Sequence, residues 1–173
     1  MNHDRYDDAY IRSVLEETKR IAMVGASGNL ARPSYLVLKY LIGRGYEVFP
    51  VNPGLAGKDI LGRKVFAGLA EVLPPIDMID IFRNSDAAAR IVDEALALSP
   101  LPKFIWMQLT VRNDGAASRA EARGVRVVMN RCPKIEYGRL SGEIGWHGVN
   151  SRVITAKKPT AGTGFQKLSI GQR

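Results

Sequence analysis

The sequence is poor in the residues that build disulfide frameworks and metal centres. It has one cysteine, Cys132, and two histidines, His3 and His147, among 173 residues. A single cysteine excludes an internal disulfide framework and is typical of a reducing compartment, so we expect a cytoplasmic protein. One cysteine and two histidines cannot complete a closed structural zinc site, and no metal site is predicted.

Long apolar runs are also missing. No stretch approaches the roughly 20 consecutive apolar residues that a membrane-spanning helix needs. Residues 1–5 lead into acidic sequence rather than into an apolar segment. We therefore expect neither a transmembrane protein nor a secretory signal peptide. The composition, 46% hydrophobic and 24% charged, predicts a single folded domain.

Acidic residues are outnumbered, and much of the imbalance lies at the carboxyl end. The chain has 25 Lys and Arg against 17 Asp and Glu, a net charge of +8. Residues 151–173 contain no acid and five basic residues: Arg152, Lys157, Lys158, Lys167 and Arg173. We therefore divide the chain into a domain of residues 1–150, whose mild positive charge suits an anionic small ligand, and a basic C-terminal tail. A solvated tail is favoured over a nucleic-acid-binding arm, which stays open as an alternative.

Short apolar runs alternate with amphipathic segments along residues 8–129. Strands are predicted at residues 20–25, 46–51, 77–82, 103–108 and 125–129, and helices at 8–19, 33–45, 85–98 and 113–123. An extended piece at 62–66 and a short helix at 69–72 lie between the second and third strands. This alternation predicts an α/β fold with a doubly wound, mainly parallel five-stranded sheet of the Rossmann-like type. Pro50 favours a place near the end of its strand.

Ligands of such sheets bind beyond the carboxyl ends of the strands, so the segments after each strand were considered first. The loop after the first strand begins Gly25-Ala26-Ser27-Gly28 and leads to a helix opened by Pro33. Glycines allow close approach of a ligand, and amides at a helix N-terminus attract anions. Arg32 and Ser34 add a charge and a hydroxyl, and phosphate binding is favoured over a simple tight turn. The match to the dinucleotide fingerprint G-x-G-x-x-G is poor.

The end of the second strand lacks the acid that NAD-binding proteins use to hold ribose hydroxyls. The sequence there is Val51-Asn52-Pro53-Gly54, and the next charge is Lys58. A lysine suits a phosphorylated ribose, which both NADP and coenzyme A (CoA) carry, so charge alone leaves the two open. Pro53 is equally well interpreted as an adenine contact or as a turn residue.

Seven motifs together carry a family resemblance. In chain order they are Gly25-Ala-Ser, Arg32-Pro-Ser-Tyr35, Val51-Asn-Pro-Gly54, Gly57-Lys-Asp-Ile-Leu-Gly62, Asp77-Met-Ile-Asp-Ile-Phe-Arg83, Trp106-Met-Gln-Leu109 and Asn130-Arg-Cys-Pro-Lys134. Over about residues 7–140 the chain resembles the small bacterial and archaeal CoA-binding proteins of the YccU-like family. That family is similar to the CoA-binding domain of the succinyl-CoA synthetase alpha subunit.

The resemblance implies a Rossmann-like domain that binds CoA or an acyl-CoA. It implies that residues 25–27, with Arg32, Pro33 and Ser34 at the helix start, take the pyrophosphate. It places Asn52, Pro53 and Lys58 by the adenosine 3′-phosphate end. Three further residues, Arg83, Ser85 and Gln108, are expected to line the crevice. Residues 28–30 (Gly-Asn-Leu) depart from relatives that carry lysine or proline there.

Candidates for catalysis are few. His3 and His147 are expected to be solvated surface residues. Asp77 and Asp80, three apart in one strand, point to opposite faces and form no dyad; Asp80 should be satisfied by a helix end or a polar group. Cys132 follows the fifth strand beside Arg131 and Lys134, whose charges favour a thiolate that would exchange with a CoA disulfide. A buried, inert cysteine is the favoured interpretation.

These residues predict a non-catalytic binding or regulatory protein that takes CoA or an acyl-CoA. The alternative is an enzyme: an NADP-linked reductase, or an acyl-CoA ligase component that needs a partner subunit. The partner expected in either case is a small molecule rather than a membrane or nucleic acid. The pattern says nothing of oligomeric state.

Overall fold

Five short parallel strands form the central sheet in the computed structural model, which describes residues 1–142. They are β1 (Arg20–Val24), β2 (Glu47–Val51), β5 (Met78–Ile81), β6 (Phe104–Met107) and β7 (Arg126–Val128), and a separate antiparallel hairpin is made by β3 (Asp59–Ile60) and β4 (Arg63–Lys64). The order across the sheet is β2-β1-β5-β6-β7. The predicted doubly wound α/β fold is therefore confirmed, and the strand order reverses between β1 and β5.

Helices cover both faces of the sheet. They are α1 (Asp8–Glu17), α2 (Pro33–Gly43), α3 (Ser85–Leu96), α4 (Asp114–Ala122) and α5 (Pro133–Leu140). Apolar side chains of α3 and α4 pack with alternate strand residues into one core cluster. Those of α1, α2 and α5 pack with the other set into a second cluster. Because both faces are covered, β5 and β6 are buried along their whole length, as parallel strands require.

Local sequence explains where the helices begin. Asp7, Asn84 and Asn113 are N-caps whose side chains accept hydrogen bonds from main-chain amides at the starts of α1, α3 and α4. Pro33 and Pro133 instead occupy the first turn of α2 and α5, where proline's missing N–H has no intrahelical partner to lose. The N-cap residues of these two helices, Arg32 and Cys132, make no side-chain capping hydrogen bond.

Pro50 is tolerated because β2 is an edge strand of the sheet. It is the fourth of the five residues of β2, near the end as predicted. Its carbonyl accepts a hydrogen bond from the amide of Phe66 at 2.9 Å. Residues 62–66 thereby cover the outer side of β2, and Val51 pairs with Phe66 in an isolated parallel bridge.

Two sequence-based expectations are corrected by the structure. Helix α5 was not predicted, because its polar residues interrupt the apolar pattern. One of these polar residues, Arg139, forms an ion pair with Asp8 of α1 at 2.7 Å. His3 is buried rather than solvated, with 8% of its surface exposed. Its Nδ1 lies 2.8 Å from the Tyr6 hydroxyl and its Nε2 lies 3.4 Å from Glu121. His147 and the basic tail lie outside the described residues.

Candidate functional site

Gly25 brings together the two loops that flank the reversal of strand order. It has φ +90°, a conformation that side-chain-bearing residues rarely adopt. A Cβ at this position would lie 2.5 Å from the carbonyl oxygen of Phe82 and 3.0 Å from Cδ of Arg83. The loop after β1 therefore touches the loop after β5, and only glycine permits that contact.

Asn52 fixes the shape of the loop after β1. Its Nδ2 donates to the Ala26 carbonyl at 2.7 Å, and its Oδ1 accepts from the Gly54 amide at 3.0 Å. The Gly25 amide donates to the Val51 carbonyl at 2.9 Å. Ala26 is fully buried beneath these contacts. The loop is thus held in one shape by the end of the neighbouring strand, without any ligand.

The rest of the loop leads to the start of α2. The Ser27 hydroxyl accepts from the Asn29 amide at 3.2 Å, which makes a tight local turn. Arg32 occupies the N-cap position of α2, its side chain makes no capping hydrogen bond, and Ser34 in the first turn is buried. The first amides of an α-helix carry partial positive charge, and here no side chain neutralises it.

Three cationic side chains project around this loop. Arg32, Lys58 and Arg83 are all exposed. Within residues 1–142 no ion pair holds any of them. Lys58 directly follows the turn that begins at Pro53, which is itself exposed. The described part of the chain therefore carries three cations without ion pairs in the segments that follow β1, β2 and β5, one of them at the N-cap of α2.

Ser85 and Gln108 are engaged within the protein. The Ser85 hydroxyl accepts from the Arg112 amide at 3.1 Å, which links the start of α3 to the loop after β6. Gln108 has only 5% of its surface exposed, and its Nε2 donates to Oδ1 of Asp80 at 2.7 Å. Both residues lie at the carboxyl ends of their strands, as predicted, with their polar groups already partnered.

Asp80 is fully buried in the middle of β5. Gln108 is the polar group that satisfies its Oδ1, whereas Oδ2 has no hydrogen-bond partner among the described residues. Burial raises the pKa of Asp80 to about 7, against the lowering effect of the Gln108 hydrogen bond. Burial therefore moves the titration of this carboxyl toward neutral pH.

Cys132 is buried, with 7% of its surface exposed, as the favoured interpretation predicted. Burial raises the pKa of its thiol, although amides of the first turn of α5 act to lower it. The charge of Lys134 acts to lower the thiol pKa, as expected, but burial outweighs it. The Arg131 guanidinium lies 5.5 Å from the centre of the Tyr6 ring and 3.7 Å from Glu136, so its charge is already partly engaged.

Sequence reasoning missed two hydrogen bonds that join the loops after β6 and β7. Thr110 and Asn130 have φ +68° and +53°, and Asn130 Oδ1 accepts from the Thr110 amide at 2.8 Å. The Asn130 amide in turn donates to the Val111 carbonyl at 3.1 Å. A β-branched residue with positive φ is strained and rare. Threonine carries no sequence signal for that conformation, so only the structure could find it.

Metal and membrane sites were sought in the same residues. Among residues 1–142 no group of three or more His, Cys, Asp or Glu side chains is arranged to hold a metal ion. None of the helices in that range has both the length and the apolar character needed to cross a bilayer.

The parallel sheet, its order and the glycine loop at the reversal define a Rossmann-like α/β protein. Residues 19–138 match the CoA binding domain family, and the chain belongs to that family. The uncharacterized protein YneT of Bacillus subtilis is 35% identical over 129 residues, which cover 75% of this chain and 93% of YneT.

Solved structures agree with this assignment. A Thermus thermophilus protein is 34% identical with a TM-score of 0.73, covering 78% of this chain and 99% of its own. A hypothetical protein from Pyrococcus horikoshii is also 34% identical with a TM-score of 0.75, covering 82% of this chain and 97% of its own. The resemblance to small CoA-binding proteins is therefore confirmed.

Proposed function

We propose that this protein binds CoA or an acyl-CoA at the carboxyl edge of its sheet, with the pyrophosphate on the loop after β1. The observation that carries the proposal is the contact of Gly25 with the Phe82 carbonyl, in a chain of the CoA binding domain family. That contact holds the loop after β1 against the loop after β5 at the reversal of strand order, where doubly wound sheets bind nucleotides.

Electrostatics supports the assignment of the phosphates. The pyrophosphate lies on residues 25–27 and accepts hydrogen bonds from the amides of Ala26 and Ser27 and from the start of α2, with Arg32, Ser34 and Arg83 beside it. Lys58 lies past the end of β2 and receives the 3′-phosphate of the adenosine, while Asn52 and Pro53 contact the adenosine itself. Each cation is free of an ion pair within residues 1–142, so binding breaks no salt bridge there.

The remaining part of the ligand extends toward β6. From the loop after β1 the pantetheine arm passes Ser85 and reaches the strand end at Gln108. Both side chains are held by internal hydrogen bonds, which provides a preformed wall rather than reactive groups. The proposed role is therefore recognition and not chemistry.

A non-catalytic role is supported by the state of the reactive residues. Cys132 is buried with a raised thiol pKa, and His3 is buried against Tyr6 and Glu121 on the far side of β7. We propose that the protein is a carrier or sensor of CoA. Incubation with CoA disulfide should leave Cys132 without added CoA mass, because a mixed disulfide with release of one CoA thiol needs an accessible thiolate. An added CoA mass on Cys132 would contradict this.

Calorimetry and thermal unfolding test the proposal. We expect heat of binding and a raised Tm with CoA, a smaller shift with dephospho-CoA, and none with NAD or NADP. Dephospho-CoA is the matched control, since it lacks only the 3′-phosphate assigned to Lys58. Binding of NADP without CoA, or turnover of NADPH with a carbonyl substrate, would favour the reductase alternative instead.

A further inference from the structure

A buried carboxyl lies in β5, one residue before the carboxyl end of the strand. Asp80 is the third residue of β5, in register with Met23 of β1 and Trp106 of β6. Its Oδ1 accepts from Gln108, and its Oδ2 is an unpartnered polar atom within residues 1–142. A buried oxygen without a partner opposes folding, so its presence at this strand end calls for a role.

We infer that Asp80 is a positioning residue: it orients the Gln108 side chain at the carboxyl edge and makes ligand binding at that edge respond to pH. The inference rests on the proposed function for the identity of the ligand. Gln108 directly follows β6, and its carbonyl accepts from the Val111 amide at 2.9 Å, so it begins the loop that carries Thr110.

The chemistry of the pair gives it two arrangements. An ionised carboxylate only accepts hydrogen bonds, so Gln108 must present Nε2 to Asp80 and keep Oε1 for other partners. A protonated carboxyl can donate to Oε1 instead, which allows the amide to turn over and present its N–H groups. When Asp80 is protonated, the side of the Gln108 amide that faces away from Asp80 therefore presents N–H donors instead of the Oε1 acceptor.

The surroundings place this exchange near neutral pH. Burial raises the pKa of Asp80 to about 7. Tyr10, Tyr46 and the Cys132 thiol pack on this face of the sheet. Helix α5 also carries Glu136, which is paired with Arg139 at 2.8 Å, and Lys134, whose charge acts on Cys132. Burial raises the pKa of Tyr10 and Tyr46 to about 12 and also raises that of Cys132, so burial moves these groups away from neutral pH and moves Asp80 toward it.

The sign of the effect follows from charge. Above pH 7 a carboxylate lies beneath an anionic ligand and repels it, so CoA should bind more weakly as pH rises. By reciprocity, bound CoA raises the pKa of Asp80, and binding near pH 7 takes up protons. The wild-type affinity should fall roughly fivefold between pH 6 and 8, at the low end of couplings between two sites.

Calorimetric titration with CoA across pH 6–8.5 tests this on the full chain. Asp80→Asn keeps the shape without the charge and should remove both the fivefold change and the proton uptake. Ionisation of CoA's own phosphates affects both proteins equally and cancels. Asp77→Asn, which changes a buried carboxyl at the opposite end of β5, should keep the wild-type slope. An Asp80→Asn protein with the wild-type slope would overturn the inference.

Carboxyl carbon NMR of the unliganded wild type provides a test that needs neither CoA nor a variant. The Asp80 signal should titrate near pH 7, and the Gln108 side-chain amide signals should move with the same midpoint. Gln108→Met should raise that midpoint, because it removes the hydrogen bond that lowers the pKa. Titration of Asp80 near pH 4, or an unmoved Gln108 amide, would overturn the inference. A coupled titration without any CoA heat would reject CoA as ligand and keep the pH-linked pair.

Discussion

The two edges of the sheet differ in how their charges are used. At the amino edge each strand starts with, or directly follows, a charged residue: Arg20, Glu47, Asp77, Lys103 and Arg126. These charges are paired, for example Arg20 with Glu47 at 3.0 Å and Lys103 with Asp77 at 2.9 Å. At the carboxyl edge Arg32, Lys58 and Arg83 have no ion pair within residues 1–142, and Asp80 keeps an orphan oxygen.

That difference separates stability from binding. Paired charges at the amino edge hold the strand starts in register and leave nothing for a ligand to recognise. Strained φ angles and a half-satisfied carboxyl at the carboxyl edge oppose folding, and they lie, with the free cations, where a ligand is expected. The predictions below test the contrast, from the largest expected effect to the smallest.

The two aspartates of β5 should show opposite pH dependence of stability. The pKa of Asp80 is raised from 3.8 to about 7 by burial, so its contribution is greatest below pH 4 and is lost as pH rises toward 7. The loss is on the order of 4 kcal/mol in the free energy of unfolding. Urea denaturation from pH 4 to 8 should show this decline in the wild type and its absence in Asp80→Asn.

Asp77 is the matched control for that measurement. Burial acts to raise its pKa, but hydrogen bonds from Lys103 and from the amides of Arg20 and Lys19 outweigh burial and lower it. Its contribution is present above pH 4 and is lost as pH falls below that value. Asp77→Asn should therefore reduce the loss of stability below pH 4 and leave the change in stability between pH 5 and 8 intact. The same pH profile in both variants would contradict the contrast.

Gly25→Ala should destabilise the protein by about 3 kcal/mol and abolish CoA binding, because the new Cβ adds a clash to a left-handed residue. Gly45→Ala is the matched control: its φ is +88°, but a Cβ there meets nothing within 4 Å. It should lose about 1 kcal/mol from strain alone and keep binding. Denaturation measures the loss of stability and calorimetry the loss of CoA binding. Equal losses of stability and of binding in the two variants would argue against the close contact between Gly25 and Phe82.

Arg32→Ala and Lys58→Ala should each weaken CoA binding about tenfold, the size of one charge-assisted hydrogen bond, with stability unchanged. The effect should shrink at high salt. Arg123→Ala removes an equally exposed arginine at the carboxyl end of α4 and should leave affinity unchanged. A loss of affinity in Arg123→Ala as large as in Arg32→Ala would show that CoA is attracted by the overall positive charge and not by a specific site.

Lys103→Ala should have the smallest effect, a loss of about 1 kcal/mol in stability with normal CoA binding, because the Lys103 side chain is more than half exposed and the buried Asp77 keeps its hydrogen bonds from the amides of Lys19 and Arg20. Thermal unfolding in low and high salt measures it. Weakened CoA binding in this variant would show that the amino edge also shapes the ligand site.

The sequence predicted the central sheet and four of the five α-helices, because each strand of that sheet has an apolar run and these helices have recognisable starts. Asn84 and Pro33 are such signals, and both helices begin at the predicted place. The positions of the site residues at strand ends followed from the same pattern. Helix α5 and the burial of His3 could not be predicted, since both depend on contacts with residues more than a hundred positions away in the chain.

Strand order, loop contacts and burial of single polar groups came from tertiary structure alone. The sequence by itself determined an α/β chain with a glycine loop before a helix and a lysine where NAD-binding proteins have an acid, because these follow from local composition and period. Packing decided that Gly25 touches Phe82, that Gln108 faces Asp80 and that Cys132 is buried. Each of these depends on which strands lie side by side, and one stretch of sequence does not carry that information.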